Sequence, residues 1–177
     1  EPHHDADALW KHLEHAGSPH GLRIFGLDSM NIRRIEAGIL NAGSDFDETT
    51  TPYDARLGRF VDMDKPDFIG KAALEAASKE PRLHGLICHG AEPMVNGRVM
   101  WQDDIAGRVT CGATSPYLGH GIGMALMYTS EQGPGTEVMV EGSDGQLYPA
   151  TLSDMPLYDK ACDIPRGKLV DIPKRPD

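Results

Sequence analysis

Apolar residues follow two rhythms along the chain, and the change between them falls near residue 80. In residues 5–15, DADALWKHLEH, Ala6, Leu9, Trp10 and Leu13 recur at three- and four-residue spacing, which predicts an amphipathic helix. Asp5 or Asp7 is placed to cap its start, and Gly17 and Ser18-Pro19 to stop it. A helix this short is marginal alone and needs a partner surface. Residues 21–27, GLRIFGL, read as a short strand bent at Gly26. Asp28-Ser29 then caps a predicted helix from Met30 to Ala37. Met30, Ile32 and Ile35 would face inward, Arg33, Arg34 and Glu36 outward or into a cleft, and Gly38 would end the helix in left-handed geometry.

Residues 39–58 form a long connection broken by Gly43, Pro52 and Gly58. Residues 59–62 are expected as a strand, and residues 68–78 as a helix opened by Pro66-Asp67 and closed by Pro81. From Leu83 onward the period shortens. LHGLICHG, NGRVM, AGRVTCG, GIGMALMYT, TEVMVEG and QLYPATL are six short strand patterns set between glycines. Asn96-Gly97 and Asp144-Gly145 are hairpin signals, and Pro93 and Pro116 belong in turns or at edges. The fold class is therefore α+β: the end of a mixed α/β domain, then a small six-stranded barrel or jelly-roll-like domain. The division expected is 1–80, 81–164 and a polar, proline-rich tail at 165–177 that is loosely attached or disordered.

Composition narrows this picture. The 177 residues suffice for one medium domain or two small ones with a real core. Aromatics make up only 6%, so that core should be aliphatic and methionine-filled. A net charge of −10 argues against a nucleic-acid or anionic-membrane surface, while leaving room for a local basic pocket. Cys88, Cys111 and Cys162 fit neither a disulfide framework nor a zinc site, which favours a reducing compartment, the cytoplasm or, in a eukaryote, the mitochondrial matrix. No apolar run is long enough to span a bilayer, and no signal peptide is visible. The opening at Glu1, directly before a helical pattern, reads as a fragment or processed chain of something longer.

Candidate chemistry is sparse. His12 and His15 stand at i,i+3 and permit shared metal ligation in principle, but a solvated polar face is the plainer reading of the five N-terminal histidines. GHGIG at residues 119–123 follows a turn and is a glycine-rich approach to a strand, not a phosphate cradle. Cys88 and Cys111 lie in predicted strands and read as buried thiols. Asp45, Asp47 and Glu48 lack the order of a calcium loop and read as caps on the backbone of residues 49–51. Arg33 and Arg34 are the best cationic site. Adjacent helical residues point about 100° apart, so only one faces a given cleft. Arg34 could instead pair with Asp45 or Asp47.

Several ordered pieces together resemble the glycine-cleavage T-protein (aminomethyltransferase) family and its folate-dependent demethylase and dimethylglycine and sarcosine dehydrogenase relatives. They are DADALWKHLEHAG with GLRIFGL; Arg34-Ile35-Glu36-Ala37-Gly38; the Asp45 to Pro52 passage; DFIGKAAL; GRVTCGATSPYLGHGIGMALM; and Pro156-Leu157-Tyr158-Asp159. The resemblance runs from about residue 5 to about 160. It implies the end of a folate-binding domain followed by the C-terminal barrel, in a three-domain enzyme that passes a one-carbon unit to tetrahydrofolate.

The same resemblance implies a cofactor, tetrahydrofolate, and candidate cofactor-binding residues Met30, Arg33, Arg34 and Tyr117. The family's catalytic aspartate and pterin-binding glutamate have no counterpart here, so a missing N-terminal region or a partner chain is expected to supply the aspartate, and the chain alone is expected to be inactive. A small-molecule one-carbon donor and a lipoyl carrier protein are the further partners implied. One departure stands out. Where many family members carry a folate-contacting arginine, this chain has Met30, whose thioether cannot make a charge-assisted bond; Arg33, outside the usual pattern, is placed to compensate. The alternative is a folate-binding regulatory or structural module without catalysis. The cysteine motif of that branch is not visible.

Overall fold

The computed structural model describes residues 5–168. Glu1–Met30 and Asn31–Asp177 form two compact units.

In the first unit, α1 spans Ala6–Gly17. The Asp5 carboxylate accepts the Ala8 N–H at 3.0 Å, as expected of a cap, and a 3-10 turn at Ser18–His20 ends the helix. No residue of α1 is buried: Leu9, Trp10 and Leu13 are all exposed. The strand expected at 21–27 does not form. Leu22, Ile24 and Phe25 are exposed in irregular backbone, because an extended segment becomes a strand only where another strand offers its unpaired N–H and C=O groups. The second helix, α2, spans Leu27–Glu36 and starts three residues earlier than its cap signal suggested. Asp28 therefore lies in the first turn, where a negative charge favours the helix dipole.

In the second unit α2 ends as its glycine requires. Gly38 has φ +68°, Ile39 N–H donates to Arg34 C=O at 2.8 Å and Gly38 N–H to Ile35 C=O at 3.1 Å, which is the paired C-terminal closure that glycine favours. The connection that follows is built of turns. Of the three carboxylates expected to cap residues 49–51, Asp47 does so, accepting from the backbone N–H and hydroxyl of Thr49; Asp45 turns to Arg34, Asn41 and Thr110 instead, and it is Asp54 that accepts from the N–H of Thr51, at 2.8 Å. Residues 59–62 are not a strand; a 3-10 turn occupies Gly58–Phe60. The third helix, α3, is shorter than its apolar pattern, Lys71–Ala76, because Gly70 in left-handed geometry starts it and extended Ala77 stops it.

The six strands are β1 Leu83–Cys88, β2 Arg98–Trp101, β3 Asp104–Ser115, β4 His120–Met127, β5 Glu137–Glu141 and β6 Leu147–Ser153. They close into a barrel in the order β1-β4-β3-β2-β5-β6, every pairing antiparallel. Of the two forms expected, it is the barrel. Asp144-Gly145 turns the β5–β6 hairpin, with Gly145 at φ +79°. Asn96-Gly97 also makes a tight turn, but it leads into β2; the β2–β3 hairpin turns at Gln102, which holds φ +56° without being glycine.

Side chains alternate between two apolar clusters. Leu86, Cys88, Val99, Val109, Ala125, Met127, Val138, Val140, Ala150 and Leu152 fill one, which draws on all six strands. Leu83, Cys111, Ala113, Ile122, Met124 and Leu126 of β1, β3 and β4 pack outside it with Ile35 and Leu157. A register shift between Val109 and Cys111 passes β3 from the first cluster to the second. Glycines let segment 91–93 lie against the sheet: a Cβ at Gly112 would come within 2.0 Å of Pro93 O, and one at Gly121 within 2.0 Å of Ala91 O. The core is aliphatic and methionine-bearing, as the composition implied, and each fully buried Leu, Ile or Met contributes about 1.5–3 kcal/mol.

Candidate functional site

The last turn of α2 meets the second apolar cluster through Ile35, which is fully buried. Burying Ile35 draws its neighbour Glu36 in with it, to 1% exposure. A carboxyl group taken out of water needs partners for both oxygens. Oε2 accepts from Arg33 Nη1 and Oε1 from the Ser115 hydroxyl, each at 2.5 Å. The backbone carbonyl of Glu36 accepts two more bonds, from Leu157 N–H at 2.9 Å and Tyr158 N–H at 3.0 Å. A single residue thus joins α2, the end of β3 and the strap that follows β6.

The aromatic side of the cluster sits on these anchors. Ser115 Oγ accepts from Leu118 N–H at 3.0 Å, and its carbonyl accepts from Gly119 N–H at 2.9 Å, shaping the turn that carries Tyr117. The Arg33 guanidinium lies 3.9 Å from the Tyr117 ring centroid, a cation–π contact. The Tyr117 and Tyr158 rings are 5.7 Å apart and tilted by 48°. Among the described residues the buried Tyr158 hydroxyl has no hydrogen-bond partner. A part-exposed guanidinium stacked on an aromatic ring is chemistry suited to an anionic ligand that carries a planar ring system.

Arg34 points elsewhere. Its Nη1 donates to buried Asp45 at 2.7 Å, and its Nε donates to the Asn31 side chain one turn earlier in α2 at 2.9 Å. Asp45 also accepts from Asn41 N–H and the Thr110 hydroxyl. Of the two acidic partners the sequence allowed for Arg34, it takes Asp45. Nearby, Arg82 bonds Asp54 at 2.7 Å. Burial alone would raise the Asp54 carboxyl, but hydrogen bonds from Arg82 and Thr51 outweigh it and hold the group below its usual range. His84, buried in β1, faces Arg56 Nη1 at 3.1 Å, and Arg56 Nη2 bonds Asp154 at 2.6 Å. Burial, and then the Arg56 charge, push His84 below the ordinary histidine value.

Of the four candidate residues, Arg33 and Tyr117 are in direct contact. Arg34 is in the Asp45 bridge, and Met30 belongs to the first unit with its side chain half exposed. Glu36, Ser115 and Tyr158 were not singled out as site residues, although each stands inside a quoted motif. Their signal was the repeated presence of a polar or aromatic residue in otherwise apolar anchors. Cys88 and Cys111 are buried, and burial, followed by the Asp45 charge, pushes the Cys111 thiol up to about 12. His12 and His15 are exposed on α1, and His3 and His4 lie outside the described residues. Among the described residues no three His, Cys, Asp or Glu side chains gather into a metal-binding group.

Residues 1–65 match the family model described as the GCVT N-terminal domain, and residues 82–159 match that of the glycine cleavage T-protein C-terminal barrel domain. The chain belongs to the glycine cleavage T-protein family. Its relatives in that family include an aminomethyltransferase of Saccharopolyspora erythraea, 39% identical over 160 residues, which cover 87% of this chain and 43% of that protein. A trimethylamine-oxide aldolase of Ruegeria pomeroyi is 35% identical over 174 residues, covering 91% of this chain and 21% of that one. A crystal structure of glycine cleavage system aminomethyltransferase T from Bartonella henselae matches with a TM-score of 0.74 and 27% identity, over 88% of this chain and 44% of that chain. The chain thus spans less than half the length of these relatives. The T-protein motif Arg34-Ile35-Glu36-Ala37-Gly38 now has a physical reading: ion pair, core residue, buried anchor and left-handed helix stop.

Proposed function

We propose that this chain is the C-terminal part of a tetrahydrofolate-dependent one-carbon transferase of the aminomethyltransferase type. The observation that carries the reading is the pair of T-protein domain matches in family order, with their motif residues bonded into one cluster around Glu36. Tetrahydrofolate, when bound, supplies the nitrogen that takes up the carbon unit. In this reading Arg33 pairs with the ligand's negative charge and Tyr117 offers a ring face, while Arg34 secures the connection through Asp45. Positioning is the main service of such a site, since holding two reactants in place removes much of the entropic barrier.

The proton-transferring aspartate is assigned to a region outside these 177 residues, or to a partner chain, in keeping with the coverage of 43% and 44% of two relatives. The carbon donor is a small molecule bearing an N-methyl or aminomethyl group, free or delivered on a lipoyl carrier. The functional division is proposed near residue 80, with the barrel at 81–164. Three unpaired cysteines, two of them buried, suit a cytoplasmic or mitochondrial-matrix setting, and no helix among the described residues is long and apolar enough to cross a membrane.

The Met30 position argues that Arg33 takes over the cationic role usual one turn earlier. Arg33→Ala in the intact protein is expected to weaken tetrahydrofolate binding about tenfold or more, the usual loss for a charge-assisted bond. Calorimetric titration of both forms reads this directly; equal affinities would remove Arg33 from the site.

A further inference from the structure

The groups this site would offer a ligand all hang from one buried side chain. Arg33, with a side chain 43% exposed, sits on a surface where a free arginine would sample many rotamers. Glu36 fixes it by holding Nη1, and among the described residues no other nitrogen of Arg33 makes a hydrogen bond, so two sides of the guanidinium stay open. Through Oε1, Glu36 holds Ser115, whose hydroxyl and carbonyl shape the turn bearing Tyr117. Through its carbonyl it holds the N–H of Tyr158, the ring beside Tyr117. These three lines of support converge on Arg33, Tyr117 and Tyr158, while Glu36 itself is closed to solvent.

We propose that Glu36 is the positioning residue of the ligand site, holding Arg33 over Tyr117 so that its free guanidinium edge meets a carboxylate-bearing aromatic ligand. This rests on the reading that Arg33 contacts that ligand. A buried carboxyl between a cation and a hydroxyl also accounts for why so costly a group is kept at the heart of an apolar contact.

A double-mutant cycle in the intact protein, with 5-formyltetrahydrofolate as the probe, tests it. Arg33→Ala and Glu36→Gln are each expected to weaken binding about tenfold, and the double variant no further than the worse single one. The side-chain Nε–H resonance of Arg33, shifted by the Tyr117 ring in the wild type, is expected to move to the free-arginine position in Glu36→Gln. If Arg33→Ala leaves affinity intact, the ligand reading itself fails. If Arg33→Ala weakens binding but Glu36→Gln then adds its full factor, or leaves the resonance in place, Glu36 is only a structural residue and the inference is overturned. Should Glu36→Gln not fold, Ser115→Ala, which removes one of the two carboxyl partners, enters the cycle in its place. Non-additivity with Arg33→Ala supports the inference, and strict additivity overturns it.

Discussion

Single residues decide which charges this chain uses and which it spends on structure. Arg33 and Arg34 are adjacent and chemically equal, yet one stacks on Tyr117 in partial contact with solvent and the other is sealed against Asp45. The helix rotation of about 100° per residue is enough to separate their fates. His84 shows the same dependence on surroundings. Its imidazole is buried, faces the Arg56 cation and lies near the Asp154 carboxylate that Arg56 bonds. Because its folded value lies below the ordinary 6.5, the unfolded chain takes the proton first. Its contribution to stability is complete above about 6.5 and is lost as pH falls through the lower folded value. Urea unfolding between about pH 7.5 and about pH 5 should therefore show a falling midpoint. His84→Gln should flatten that fall relative to the wild type, and an unchanged slope would show that His84 does not drive it.

Among the elements, the strap after β6 is the piece whose importance the chain order conceals. Leu157 buries its side chain among Ile35, Leu83 and the outer residues of β3 and β4. Gly85 makes room for it, since a Cβ there would stand 2.8 Å from Leu157. Leu157→Ala should cost about 2–4 kcal/mol, as large-to-small changes in cores do, and thermal unfolding should also report a looser Tyr158. A loss under about 0.5 kcal/mol would mean the strap is not part of the cooperative unit. The six strands were legible because each pairs alternating apolar residues with glycine turns, and that pattern is local. The strand expected at 21–27, the one at 59–62 and the full length of α3 were not, because an extended or helical segment persists only where something pairs with it or caps it. The role of Glu36 was hidden for the same reason: its hydroxyl partner, Ser115, is 79 residues away.

At the scale of the molecule, the closed barrel provides a rigid body on which a short helix end, a turn and a strap are set in register. The family resemblance was legible from the order of its motifs, and the barrel from its periodicity. What those motifs do was not legible, because a motif names residues and the bonds between them arise only on folding. If the proposed function holds, this body serves tetrahydrofolate chemistry and the proton-transferring aspartate comes from outside residues 1–177. Equilibrium titration of tetrahydrofolate against the intact protein and against the 177-residue chain tests it most directly. Saturable binding to the intact protein and weak or no binding to the chain alone are expected. Tight binding to the 177-residue chain, or none to the intact protein, would contradict it.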